Sequence, residues 1–176
     1  LSRRQRQMCI RDRFHGYRSS WVIDFSIVLP YYFTLGYNLL AVDERAHGES
    51  EGTYITFGVR EQHDVATWAA YAAMHFGPAH PLILGGLSMG AATVLMATAL
   101  PLPENVRGVI ADCGFTSPMA IISSVARQVL GSCPAFVLRL SSAFSGLFGG
   151  WRHDACSAVD AMRRNKSIPV FFAHGE

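Results

Sequence analysis

Short, mostly apolar runs alternate along this chain with longer stretches in which apolar residues return at helical spacing. The short runs lie at residues 38–42, 81–84, 106–111 and 168–173, and each suits a strand buried on both faces. The longer stretches read as helices. Residues 22–35 carry Val22, Phe25, Val28 and Leu29 near helical spacing, with Ser19 or Ser20 as N-cap and a kink at Pro30. Residues 59–76 place Val65, Trp68, Ala69, Ala72 and Phe76 on one face, and Gly77-Pro78 ends them. Residues 91–100 are Ala-rich and apolar all round, as a fully buried helix is. Residues 116–130 put Met119, Ile122, Val125, Ala126 and Val129 on one face behind Thr116 or Ser117 as cap. Residues 154–165 read as a helix with Asp154 as N-cap. Residues 134–150 mix apolar residues with Ser and Gly and predict a small helical cap or a mobile segment.

Strands alternating with helices predict an α/β domain with a mostly parallel sheet, provided a strand precedes His15. Ligands in such sheets bind beyond the carboxyl ends of the strands. His15-Gly16, Asp43, Gly86-Leu87-Ser88, Asp112 and His174-Gly175-Glu176 all fall at such ends, so one edge collects the polar chemistry.

Composition changes this picture at one end only. The chain has 176 residues and is 50% hydrophobic, enough for one domain with a real core. Its formal charge is +2. Residues 1–13 hold five arginines against one acid, so the body beyond them is mildly acidic and gives no reason to expect nucleic-acid binding. This Arg-rich stretch lacks periodicity and resembles a translated adapter or cloning scar, so it is set aside from the fold. The alternative is a genuine basic tail. No apolar h-region follows the arginines, and the apolar stretch from Trp21 to Val42 is broken by Asp24, Pro30 and Gly36. Neither a secretory signal nor a membrane span is therefore expected. Cys9, Cys113, Cys133 and Cys156 are widely spaced and read as free thiols, which favours a reducing, cytoplasmic compartment. No histidine–carboxylate set has metal-ligand spacing, so no metal is expected.

The chemistry concentrates at Gly86-Leu87-Ser88-Met89-Gly90. A G-x-S-x-G placed between a buried strand and a buried helix holds the serine on a sharp, strained turn. Side chains two residues away on either side would collide there, and glycine removes them. The turn lifts the hydroxyl clear of the sheet and brings the Met89 N–H near a reacting oxygen. The plain alternative is a Gly-rich turn with no chemistry.

Taken in order, these pieces resemble the α/β-hydrolase superfamily, and within it the uncharacterised hydrolases related to serine aminopeptidases, esterases and the Bem46-type proteins. The matching pieces are His15-Gly16-Tyr17-Arg18-Ser19-Ser20, the segment Asp43-Glu44-Arg45-Ala46-His47-Gly48-Glu49-Ser50, Thr56-Phe57-Gly58, the elbow with Ala91-Ala92, Asp112-Cys113-Gly114-Phe115-Thr116-Ser117, and residues 168–176. The resemblance implies a partial α/β-hydrolase domain over residues 14–176, with a cap-like insertion at about 116–150. It implies that Ser88 is the nucleophile and that the Tyr17 and Met89 amides form the oxyanion hole, with His15, Gly16, Gly86 and Gly90 supporting them. Asp43, Arg45 and His47 are read as builders of their own turn rather than as reactants. The implied substrate is a small-molecule or peptide acyl compound, and no cofactor is implied.

Two departures accompany the resemblance. The strand that should precede His15 is expected to be missing, its place taken by the Arg-rich segment. The family's catalytic acid and histidine would fall beyond Glu176, which predicts an inactive fragment of an active protein. Asp112 is the alternative acid, at the end of the strand after the elbow. His153 and His174 are the histidines after Ser88 and are weaker alternatives as base; His63, His75 and His80 read as surface or packing residues.

Overall fold

Apolar runs that alternate with helices come together as one five-stranded parallel sheet. The computed structural model describes residues 10–132 and 134–175. Cys9, Cys133 and Glu176, each part of an expectation above, lie outside the described residues. The strands are β1 (Ile10–Phe14), β2 (Asn38–Val42), β3 (Leu82–Leu87), β4 (Val106–Asp112) and β5 (Val170–Ala173), in the order β2-β1-β3-β4-β5. The helices are α1 (Trp21–Phe25), α2 (Leu29–Thr34), α3 (Glu61–Phe76), α4 (Met89–Ala97), α5 (Pro118–Leu130), α6 (Ala135–Phe144) and α7 (Ala158–Arg164), with a π-helical turn over Ser145–Gly149 after α6. No helix among the described residues is long and apolar enough to cross a membrane.

The core lies around α4. All nine of its residues are buried, because it packs on β1, β3 and β4 and is covered by α3 and α7. This is what an apolar, Ala-rich stretch can do: small side chains let a helix lie close to a sheet on one side and to other helices on the next. Val65, Ala69 and Ala72 supply the buried face of α3, with Trp68 and Phe76 packed at its margin.

Four expectations are corrected. The strand before His15 is present: residues 10–13, which the sequence reading set aside, form most of β1 between β2 and β3. The helix expected over residues 22–35 is two helices. Pro30 lacks an N–H and its ring would strike the carbonyl four residues back, so the chain turns at Ser26–Val28 and restarts with Pro30 in the first turn of α2. The helix expected from Asp154 begins at Ala158, capped by Ser157, whose hydroxyl accepts the Asp160 N–H at 3.3 Å. The Asp154 carboxylate is instead bonded by Arg152. Finally, among the described residues β5 stands at the end of the sheet, with Phe171 and Phe172 exposed where burial was expected.

Candidate active site

Ser88 sits at the junction of β3 and α4 with φ 52° and ψ −106°, a left-handed backbone that costs a serine about 1–3 kcal/mol. The surrounding backbone holds it there. The Ser88 N–H donates to the Asp112 carbonyl at 2.8 Å, the Gly90 N–H donates to the His15 carbonyl at 3.1 Å, and the Ser88 carbonyl accepts the Ala92 N–H at 3.1 Å. A Cβ on Gly86 would strike the Gly90 carbonyl, and one on Gly90 would strike the Phe14 carbonyl. Both glycines are therefore dictated by backbone passing against backbone.

The loop after β1 is laid against this turn. A Cβ on Gly16 would lie 3.7 Å from the Ser88 Cβ. The Gly16 N–H donates to Asp24 Oδ2 at 2.7 Å, and the Ser19 hydroxyl donates to Asp24 Oδ1 at 2.6 Å. Asp24, in the first turn of α1, thus ties the loop to the helix behind it. Ser20 caps that helix by accepting the Ile23 N–H at 3.4 Å. Met89 opens α4, where an amide has no partner within its own helix. Among the described residues, neither the Tyr17 nor the Met89 amide is a donor in the backbone bonds of this region, so both are free to meet a ligand oxygen.

Two histidines stiffen the loop in one pattern. His15 Nδ1 lies 2.8 Å from the Gly16 carbonyl, an acceptor, so it carries the proton; Nε2 accepts the Glu44 N–H at 2.9 Å. Burial holds the His15 pKa below its ordinary value. A neutral ring with both nitrogens engaged is a spacer rather than a base, and its 3.7 Å approach to Asp43 is not an ion pair. His47 repeats the arrangement, Nδ1 to the Arg45 carbonyl at 2.9 Å and Nε2 accepting the Arg18 N–H at 3.0 Å. Asp43 accepts the Trp21 N–H, and Arg45 grips Asp64 through two bonds of 2.6 Å. His47 bonds within its own turn as expected, whereas Asp43 and Arg45 tie that turn to α1 and α3 instead of to its own backbone.

Ser88 and Met89 border a cavity of about 750 Å³. Tyr17 and Phe57 stack at 5.3 Å to form one wall. Ile122, Val125, Ala126 and Val129 form another. These residues were expected to share a face of α5, and they do; that face lines the cavity, and Pro118 is the buried residue of the helix. Trp151 and His153 also line the cavity.

A sequence model of the alpha/beta hydrolase fold matches residues 14–148. The chain belongs to that family. It is 27% identical over 147 residues to the uncharacterized protein YqkD of Bacillus subtilis strain 168, covering 82% of this chain and 47% of that one. The chain thus spans about half the length of this curated relative. It is also similar to the Pyrococcus furiosus esterase Pf2001, with a TM-score of 0.69 at 23% identity over 96% of this chain and 62% of that one. A lipase-esterase related protein from Clostridium acetobutylicum ATCC 824 gives a TM-score of 0.65 at 21% identity over 95% and 74% of the two chains. At these identities the structures show the fold alone.

Within the α/β-hydrolase fold the expected residues gather unevenly. Ser88, Met89, Tyr17, His15, Gly16, Gly86 and Gly90 come together. Asp112 joins them through its carbonyl and is itself half-buried. His174 is exposed and borders a different cavity, and His63 and His75 are exposed on α3. Free thiols are found at Cys113 and Cys156. Asp24 and Glu61 were missed. Glu61 is 1% exposed and accepts the Thr56 N–H, the Thr56 hydroxyl and the Gly58 N–H, which fixes Phe57 in the cavity wall. Both are acids in the first turn of a helix, where a carboxylate favours amide partners, and that position was their signal.

Proposed function

We propose that the protein is a serine hydrolase acting on an ester, amide or related acyl substrate through an acyl-enzyme. The observation that carries this reading is Ser88 held at positive φ on a strand-to-helix turn, facing an apolar cavity, with two unspent amides beside it. Ser88 Oγ adds to the substrate carbonyl, and the Tyr17 and Met89 amides take the negative charge that forms on its oxygen. Losing one such donor costs about 10²–10³ in rate. A histidine takes the Oγ proton and passes it to the leaving group as the bond to that group breaks. Water then repeats the sequence on the Ser88 ester and frees the acid.

Among the described residues no histidine bonds Ser88 Oγ. The family resemblance puts the acid and the histidine beyond Glu176, so the 176-residue chain is proposed to be almost inactive and the gene product read past Glu176 to be active. The same missing bond favours a second reading, a non-catalytic binding module on the hydrolase fold. Hydrolysis of p-nitrophenyl acyl esters by the longer product separates them. The enzyme reading expects turnover that falls by about 10³-fold or more in Ser88→Ala; turnover unchanged by that substitution, or none in the longer product, contradicts it.

A further inference from the structure

The cavity beside Ser88 is walled mostly by aliphatic and aromatic side chains, with two polar residues, Ser141 and His153, that the chemistry above does not use. His153 lines it and is 6% exposed. Its backbone N–H donates to the Ser142 hydroxyl at 3.0 Å, which fixes the position of the residue. Its ring packs edge-on against Trp151, 4.7 Å between centroids. Nδ1 is sealed from solvent with no hydrogen-bond partner among the described residues. Burial lowers the pKa of the ring, so it is neutral and carries a single N–H. A buried donor without an acceptor is rarer in folded proteins than an under-satisfied acceptor, so the proton belongs on Nε2. That nitrogen is not among the sealed, unpartnered atoms, and it is the one a molecule in the cavity can meet. Ser141, the neighbouring polar residue of the wall, already donates its hydroxyl to the Leu138 carbonyl at 3.0 Å.

We infer that His153 is a specificity residue that hydrogen-bonds an oxygen carried along the acyl chain of the substrate, so that the preferred acyl group is an oxygenated chain rather than a plain alkyl one. The inference rests on the reading of Ser88 as the acyl acceptor, which places the acyl chain in this cavity. A plain chain fills the apolar walls but leaves the imidazole N–H facing hydrocarbon. A ketone, ether or hydroxyl oxygen at the right carbon accepts it. Sites built to bond a polar group discriminate strongly against analogues that lack it, because the protein group is then left unpaired.

The test uses the 176-residue chain with Ser88→Ala, so that esters stay intact. Methyl octanoate and a set of methyl oxo-octanoates, with the ketone moved one carbon at a time, are titrated against protein carrying labelled histidine and followed by NMR. At least one oxo ester is expected to bind about tenfold tighter than methyl octanoate and to shift the His153 ring resonances. His153→Phe brings the ratio of the two affinities to about one, and His153→Gln, which restores an N–H donor, keeps a preference. Equal affinity for all the esters, or a preference that survives His153→Phe, overturns the inference. Should His153→Phe fail to fold, the parent ratio and His153→Gln decide it. Ester hydrolysis by the longer product, lost in Ser88→Ala, judges the hydrolase reading separately. An oxo preference without that turnover removes the hydrolase and leaves the binding site; turnover without the preference does the reverse.

Discussion

β1 and β3 lie side by side in the middle of the sheet, in register from Ile10 against Leu82 to Phe14 against Gly86, yet they are built from opposite materials. β3 is Leu-Ile-Leu-Gly-Gly-Leu, the apolar run a central parallel strand usually shows. β1 is Ile-Arg-Asp-Arg-Phe. Asp12 is fully buried, neither of its oxygens has a hydrogen-bond partner among the described residues, and burial pushes its pKa up to about 8. Arg13 is nearly buried, its guanidinium 4.7 Å from the Tyr32 ring centroid and 5.7 Å from that of Phe25. What β1 and the residue after it give to the site is backbone: the Phe14 carbonyl against which Gly90 packs, and the His15 carbonyl that accepts the Gly90 N–H. Pairing and connectivity place a strand; its side chains set what that placement costs.

Three substitutions break or sharpen this contrast. The largest effect is expected at Asp12. Its folded pKa of about 8 lies above the ordinary value of 3.8, so the folded state holds its proton more tightly than the unfolded one. The stability this allows is fully present below pH 3.8 and is lost as pH rises toward 8. At about 1.4 kcal/mol per pKa unit the loss amounts to several kcal/mol. Asp12→Val is expected to flatten this fall and to stabilise the chain most at alkaline pH. Urea unfolding at acid, neutral and alkaline pH checks it; a parallel fall in both proteins refutes the assignment.

Next comes Gly90→Ala, which sets a Cβ against the Phe14 carbonyl. Backbone cannot yield as a side chain does, and a loss of about 3 kcal/mol is expected by thermal or urea unfolding. The smallest effect is at Gly85, in β3. A Cβ there would meet Arg13 Nη1 at 2.7 Å, the far end of a long side chain that can move aside. Gly85→Ala is expected to cost about 1 kcal/mol or less, with the entropy of glycine recovered in part. A Gly85→Ala variant as damaged as Gly90→Ala would show that Arg13 is as rigid as the backbone.

The same contrast explains what could be read from the chain. The elbow was legible because its requirements are local: two glycines at fixed offsets from a serine, an apolar run before and an Ala-rich run after. The family and the parallel sheet followed from the order of such pieces. β1 was illegible because its evidence is non-local; Arg11, Asp12 and Arg13 contradict a buried strand, and only pairing to β2 and β3 overrules them. The split of α1 from α2 was half legible, since Pro30 announces a break but not that the chain restarts there. The role of Asp24 needed the fold, because its partners at Gly16 and Ser19 lie in the loop before its helix.

The most direct measurement is fluorophosphonate labelling of the 176-residue chain beside the gene product read past Glu176, with the modified residue mapped by peptide mass. Slow labelling of the shorter chain and rapid labelling of the longer one, both at Ser88, are the expected result. Rapid labelling of the 176-residue chain that Ser88→Ala abolishes would contradict it, because the base would then lie within the residues described above.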